Sequence, residues 1–211
     1  MMISTSILSI KDNIKENVLK LNNTNTTYIH LDIMDGLFVP NKTWEYNELK
    51  DILNDNTKPL DVHLMVNDVI KYIDEYSNLK PEYITFHLEA VDNIKEVINY
   101  IHSKNIKAGI SIKPNTNIDG LIPYLEDIDM VLLMSVEPGM GGQSFIENSY
   151  ERLNKLNELK NKYNFLIEID GGINESNITN LNGVDIAVVG SYITSSDNYQ
   201  EQIDRLLSKV M

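Results

Sequence analysis

A chain of 211 residues with 42% hydrophobic content can bury one substantial core, so a single domain over residues 1–211 is expected. A formal net charge of -13 argues against nucleic acid as a partner, because a phosphate backbone calls for clustered Lys and Arg. Zero Cys excludes a disulfide framework and thiolate chemistry, and no run approaches the roughly 20 apolar residues that span a bilayer; no membrane association and a cytoplasmic location are expected.

Eight short apolar runs, over residues 3–8, 28–34, 60–65, 83–88, 107–112, 130–134, 165–169 and 185–189, read as strands. Between them lie polar segments, such as 67–79 and 93–103, whose apolar residues recur at three- and four-residue intervals and predict helices. The alternation predicts βα units and a parallel sheet. Eight units of about 26 residues fit the lower size range of a (β/α)8 TIM barrel, with an open doubly wound sheet as the alternative. Ser6, His30, Asp32, His63, His87, Asp170 and Gly190 all fall at or near the carboxyl ends of predicted strands. A barrel gathers those ends on one rim, which favours the barrel.

His30 and Asp32 are two residues apart, so in a strand they share one face. With His63 from the next strand and Asp170 from across the rim they form a His2Asp2 set, which suits one divalent Zn, Fe(II), Co or Mn ion better than Ca or Mg. His87 is read as a rim or packing residue and His102 as a surface one, while Asp35-Gly36 reads as a turn. Three glycines within Gly139-Met140-Gly141-Gly142, together with Gly171-Gly172 and Gly190-Ser191, expose backbone N–H groups that can wrap a phosphate without a cation. Met34, Met65 and Met134 also end predicted strands, where a methionine alone reads as core filler.

The chain resembles the ribulose-phosphate 3-epimerases over essentially its whole length. The resemblance rests on Ser6-Ile7-Leu8-Ser9, His30 to Gly36, Phe38-Val39-Pro40-Asn41, His63-Leu64-Met65, Ser135 to Gln143 and Asp170-Gly171-Gly172-Ile173, in that order. It implies a (β/α)8 barrel that interconverts D-ribulose 5-phosphate and D-xylulose 5-phosphate with one divalent metal, in a family that commonly assembles into dimers or larger oligomers. By the same resemblance His30, Asp32, His63 and Asp170 are metal ligands, Asp32 and Asp170 double as the acid–base pair, and Ser6 and His63 contact the sugar. Gly139, Met140, Gly141, Gly142, Gly171, Gly172, Gly190 and Ser191 enclose the substrate's phosphate end, and Met34, Met65 and Met134 ring the site.

The chemistry accounts for two carboxylates. Inverting a carbon beside a ketone means removing a proton from one face and returning one to the other, with one group ionised and one protonated at the start. An allulose-6-phosphate 3-epimerase, or another ketose-phosphate epimerase, shares this set and is the nearest alternative; Gly172, where hexulose relatives often carry Ser, leans toward the pentulose enzyme. A catalytically silent sugar-phosphate-binding barrel would lack a ligand or carboxylate, and none is missing. An orotidine-phosphate type decarboxylase is disfavoured because its Asp-x-Lys-x-x-Asp pattern is absent. Departures from the family's usual residues, at Leu37, Met140 and the 41–46 segment, fall on loops over the expected pocket and bear on lid motion and sugar selectivity.

Overall fold

The structure is a computed structural model that describes residues 1–210. Eight strands, β1 (Met2–Ser6), β2 (Tyr28–Met34), β3 (Leu60–Met65), β4 (Tyr83–His87), β5 (Lys107–Ile112), β6 (Met130–Met134), β7 (Leu166–Asp170) and β8 (Ile186–Val189), pair in chain order. Every pairing is parallel, and β8 closes onto β1 with Met2 opposite Ile186. Closure removes the sheet edges and settles the choice between a TIM barrel and an open sheet in favour of the barrel.

The period of two in each strand divides the molecule into two environments. One set of alternates is aliphatic: Ile29, Leu31 and Ile33 of β2, and Val62 and Leu64 of β3, share one buried cluster with helix residues such as Val18, Ile73, Ile101, Leu156 and Ile203. The other set faces the barrel axis and is largely polar: Ser4 and Ser6, His30 and Asp32, Asp61 and His63, Thr85 and His87, Ser111, Glu168 and Asp170. TIM barrel interiors are usually dominated by Val, Ile and Leu. Here a wholly apolar layer is confined to the amino-terminal end, where Tyr28, Tyr83, Met130 and Ile186 plug the barrel.

Outside the strands lie α1 (Ile14–Leu21), α2 (Tyr46–Ile52), α3 (Val69–Tyr76), α4 (Ile94–Ser103), α5 (Ser149–Lys160), α6 (Ser191–Thr194) and α7 (Tyr199–Ser208). The helix predicted over 67–79 is narrower, beginning after Asp68, whose carboxylate accepts from Lys71 N, and tightening into a 3-10 turn at Ser77–Leu79. The units after β5 and β7 carry 3-10 segments instead, Ile118–Tyr124 and Ile178–Asn180. Gly120 and Pro123 interrupt the first, and the second lies in an Asn- and Ser-rich stretch of low helix propensity. β1 ends at Ser6 rather than residue 8, which frees Leu8 and Ser9 to line the mouth of the barrel. Among the described residues no helix is long and apolar enough to cross a membrane.

Candidate active site

Donor atoms of His30, Asp32, His63 and Asp170 lie within 4.8 Å of one another at the carboxyl end of the barrel. The strand register makes this possible: Asp32 stands opposite His63 across β2 and β3, and β7 brings Asp170 in from the far side. Asp32 Oδ1 is 3.5 Å from both His30 Nε2 and His63 Nδ1, and Asp170 Oδ2 is 4.0 Å from His63 Nδ1. Both histidines are fully buried, and neither His30 Nε2 nor His63 Nδ1 has a hydrogen-bond partner. Buried polar atoms are rarely left unpaired. Two imidazole lone pairs and two carboxylates converging on one point are the donor set of a divalent metal, and bonds of about 2.0–2.2 Å at tetrahedral angles separate neighbouring donors by about 3.3–3.6 Å. The residues therefore fit such an ion.

The ring nitrogens turned away from this point are held. His30 Nδ1 lies 2.6 Å from Asp61 Oδ2, which also accepts from Ser4 Oγ at 2.8 Å. Ser6 Oγ donates to Asp32 Oδ2 at 2.7 Å and fixes that carboxylate from below. Thr43 Oγ1 donates to the Asp32 carbonyl at 2.8 Å and accepts from Met34 N at 2.9 Å, so the 41–46 segment pins the end of β2. Asn41 Nδ2 donates to the Gly139 carbonyl at 2.7 Å, tying the loop after β2 to the glycine loop after β6.

The two aspartates differ in proton affinity. Burial, and then the charge of Asp32, push Asp170 up to about 7. Burial acts on Asp32 as well, but the charge of His30 beside it outweighs that and holds the carboxyl well below the usual range. At neutral pH one carboxylate is ionised while its neighbour retains a large protonated fraction.

A cavity of about 330 Å³ opens above the carboxylates. Ser6, Asp32, Met34, Met65, Met134, Gly139, Met140, Gly141, Gly142, Asp170, Gly171, Gly172, Gly190 and Ser191 all line it, while His30 and His63 are fully buried and do not. No Lys or Arg lines it among the described residues, so an anion there would be held by backbone N–H groups and hydroxyls. Gly172 has φ +67°, and a Cβ there would stand 2.4 Å from Phe145 N. Gly172→Ala is expected to cost more than about 1 kcal/mol, read as a lower urea midpoint; an unchanged midpoint would contradict the strain.

The Ribulose-phosphate 3 epimerase family model matches residues 2–194. The chain belongs to the ribulose-phosphate 3-epimerase family. Proteins named ribulose-phosphate 3-epimerase are similar to it: one from Helicobacter pylori strain J99 is 38% identical over 187 residues, spanning 87% of this chain and 86% of that one. Another, from Aquifex aeolicus strain VF5, is 40% identical over 87% of this chain and 84% of its own. A third, from Buchnera aphidicola subsp. Schizaphis graminum, is 36% identical over 99% and 94%. Among solved structures, a 3-hexulose-6-phosphate synthase from Salmonella typhimurium superposes with a TM-score of 0.71 at 15% identity, covering 100% of this chain and 98% of that one. KGPDC from Streptococcus mutans does so with a TM-score of 0.73 at 13% identity, over 99% and 96%. At those identities the likeness concerns the barrel alone.

Beneath the ribulose-phosphate 3-epimerase signature residues the barrel interior of this chain holds further buried titratable groups. Of the two readings of His87, rim or packing, full burial bears out packing; its Nε2 lies 2.9 Å from His63 Nε2 and its Nδ1 3.2 Å from Glu89 Oε2. Glu168 lies one layer beneath Asp170, fully buried beside His30 and Asp61; burial, and then the Asp61 charge, push it well above the usual carboxylate range. Asp35 does anchor a turn, accepting from Leu37 N, Phe38 N and Asn67 N, and His102 is half-exposed against Asp129 as expected. The Lys113 ammonium sits 4.0 Å from the centre of the Phe38 ring. A two-residue spacing was the available signal for Asp61 and Glu168, which precede His63 and Asp170 on the same faces.

Proposed function

We propose that this protein interconverts D-ribulose 5-phosphate and D-xylulose 5-phosphate by moving a proton between opposite faces of the carbon next to the ketone. The observation that carries this reading is the convergence of Asp32 and Asp170 with His30 and His63 at the carboxyl end of the barrel, both carboxylates lining one cavity, in a chain of this family. The carboxylate of one accepts the proton from the substrate carbon, and the carboxylic acid of the other donates its own to the opposite face. After inversion the roles are exchanged, so the reverse reaction needs no further step. Ser6 keeps Asp32 Oδ2 directed by donating to it and, with His63, would contact the sugar.

His30 Nε2, His63 Nδ1, Asp32 and Asp170 would hold one divalent ion, Zn, Fe(II), Co or Mn. Bound there, the ion would act as a Lewis acid on the substrate's oxygens. Met34, Met65 and Met134 would keep water from the reacting carbon. The glycines of the loops after β6 and β7, with Gly190 and Ser191, would take the phosphate, which suits a cavity with acidic but no basic side chains. A chain with no Cys is suited to work in the cytoplasm.

Stripping the protein with a chelator is expected to abolish epimerisation, and reloading each of the four metals in turn to restore it to differing extents. Undiminished turnover after metal removal, verified by elemental analysis, would overturn the metal assignment. Ribulose 5-phosphate should be turned over at least about tenfold faster than allulose 6-phosphate, since pocket length alone discriminates on that scale. The reverse ratio would establish the hexulose reading instead.

A further inference from the structure

We propose that His87 and Glu89, neither of which lines the cavity, are positioning residues that select the tautomer of His63 and thereby keep its Nδ1 open as a metal donor. The consequence for metal rests on the site proposed above, whereas the tautomer itself does not. His63 and His87 meet nitrogen to nitrogen, Nε2 to Nε2 at 2.9 Å, inside the barrel wall. Two neutral imidazoles can bond this way only if one Nε2 carries the proton and the other accepts it. If His63 donates, its Nδ1 is a bare lone pair facing Asp32 and Asp170. If His87 donates, the proton of His63 moves to Nδ1 and blocks that position.

Glu89 decides between the two. Its Oε1 is taken by Lys113 N at 2.9 Å and by the Thr116 hydroxyl, both donors, which leaves Oε2 facing His87 Nδ1 at 3.2 Å. A carboxylate is an acceptor only, so His87 must carry its proton on Nδ1 and offer a bare Nε2 to His63. His63 then donates from Nε2 and presents Nδ1 unprotonated. Phe38 packs on His87 with ring centroids 4.8 Å apart, and both imidazoles are fully buried, so water does not substitute for either partner. An unprotonated Nδ1 accords with the lack of a hydrogen-bond partner at that atom.

The sharpest variant is Glu89→Gln, which preserves shape. The Lys113 backbone N–H cannot turn away, so the amide oxygen goes to it and the amide NH2 faces His87 Nδ1. That makes His87 Nδ1 an acceptor, moves its proton to Nε2, and drives the proton of His63 onto Nδ1. In metal-free protein at neutral pH, long-range ¹H–¹⁵N spectra should show His63 protonated at Nε2 in the wild type and at Nδ1 in Glu89→Gln. The zinc Kd, from chelator competition, should rise by about 10- to 100-fold. A wild-type His63 protonated at Nδ1 overturns the proposal, whether or not the variant folds. So does a variant with an unchanged tautomer and a zinc Kd within twofold, even if its urea midpoint falls. A wild type that binds no zinc would overturn the metal site, and the His63 spectrum would still decide the tautomer.

Discussion

Asp170→Asn should lower kcat for ribulose 5-phosphate epimerisation by about 10²–10⁴, the contribution of a positioned acid or base. Asn keeps an oxygen that can face a metal, so the loss should persist at saturating metal with bound metal confirmed by elemental analysis. A second readout separates the two-base reading from a general loss of the site. With Asp32 still present, one of the two pentulose phosphates should exchange its C3 hydrogen with D2O while keeping its configuration, and the other should not. Asp32→Asn should reverse which substrate exchanges. Equal exchange of both substrates in either variant would sink the assignment of one aspartate to each face. The low proton affinity of Asp32 traces to the His30 charge beside it, and the raised affinity of Asp170 to burial and then the Asp32 charge, so the two aspartates differ before substrate arrives.

Much of this was legible because the strands announce themselves. Leu31 and Ile33 of β2 or Ile167 and Ile169 of β7 must pack on helices, so their alternates are left to face the axis. The same period placed His30 with Asp32, and the glycine runs marked the mouth. The deeper polar layer was hidden for a different reason. Asp61 and Glu168 sit inside apolar runs, and what they touch depends on the stagger between strands, which one sequence does not print: Asp61 stands opposite His30 in the β2–β3 register, while Glu168 reaches the same imidazole from three strands away around the ring. A lone strand-end histidine reads as a packing residue, and His87 gains its partner only in the fold: Thr85 stands opposite His63 in the β3–β4 register, and His87, two residues on along the same face, reaches His63 Nε2. The missing α-helices after β5 and β7 were likewise set by Pro123, Gly120 and an Asn-rich stretch, local features that the eightfold rhythm overrode.

Asp61→Ala is expected to be the most destabilising change in the barrel interior. It removes the acceptor of both His30 Nδ1 and Ser4 Oγ and leaves a fully buried imidazole without its counter-charge. Breaking a buried pair from one side costs about 3–5 kcal/mol. The pH dependence follows from both partners. Burial raises the Asp61 carboxyl, but the His30 charge outweighs it and the net shift is downward, so its contribution is present above the unfolded value of about 3.9 and is lost as pH falls through the folded value. Burial likewise opposes charge on His30, yet Asp61 and then Asp32 hold it well above its ordinary range. That contribution is complete below about pH 6.5 and is lost as pH rises through the folded value. In metal-free protein the gap in urea midpoint between wild type and Asp61→Ala should therefore be widest between about pH 4 and 6.5. A gap below about 1 kcal/mol at pH 5.5 would show that the pair is not a structural requirement. Asp61→Asn keeps an acceptor for the His30 N–H while removing the charge, so its position between wild type and Ala divides the effect into hydrogen bond and ion pair. A metal at His30 Nε2 requires a neutral ring and so replaces the proton as the counter-charge in this cluster, which is why the Asn variant should lie closer to wild type with metal bound than without.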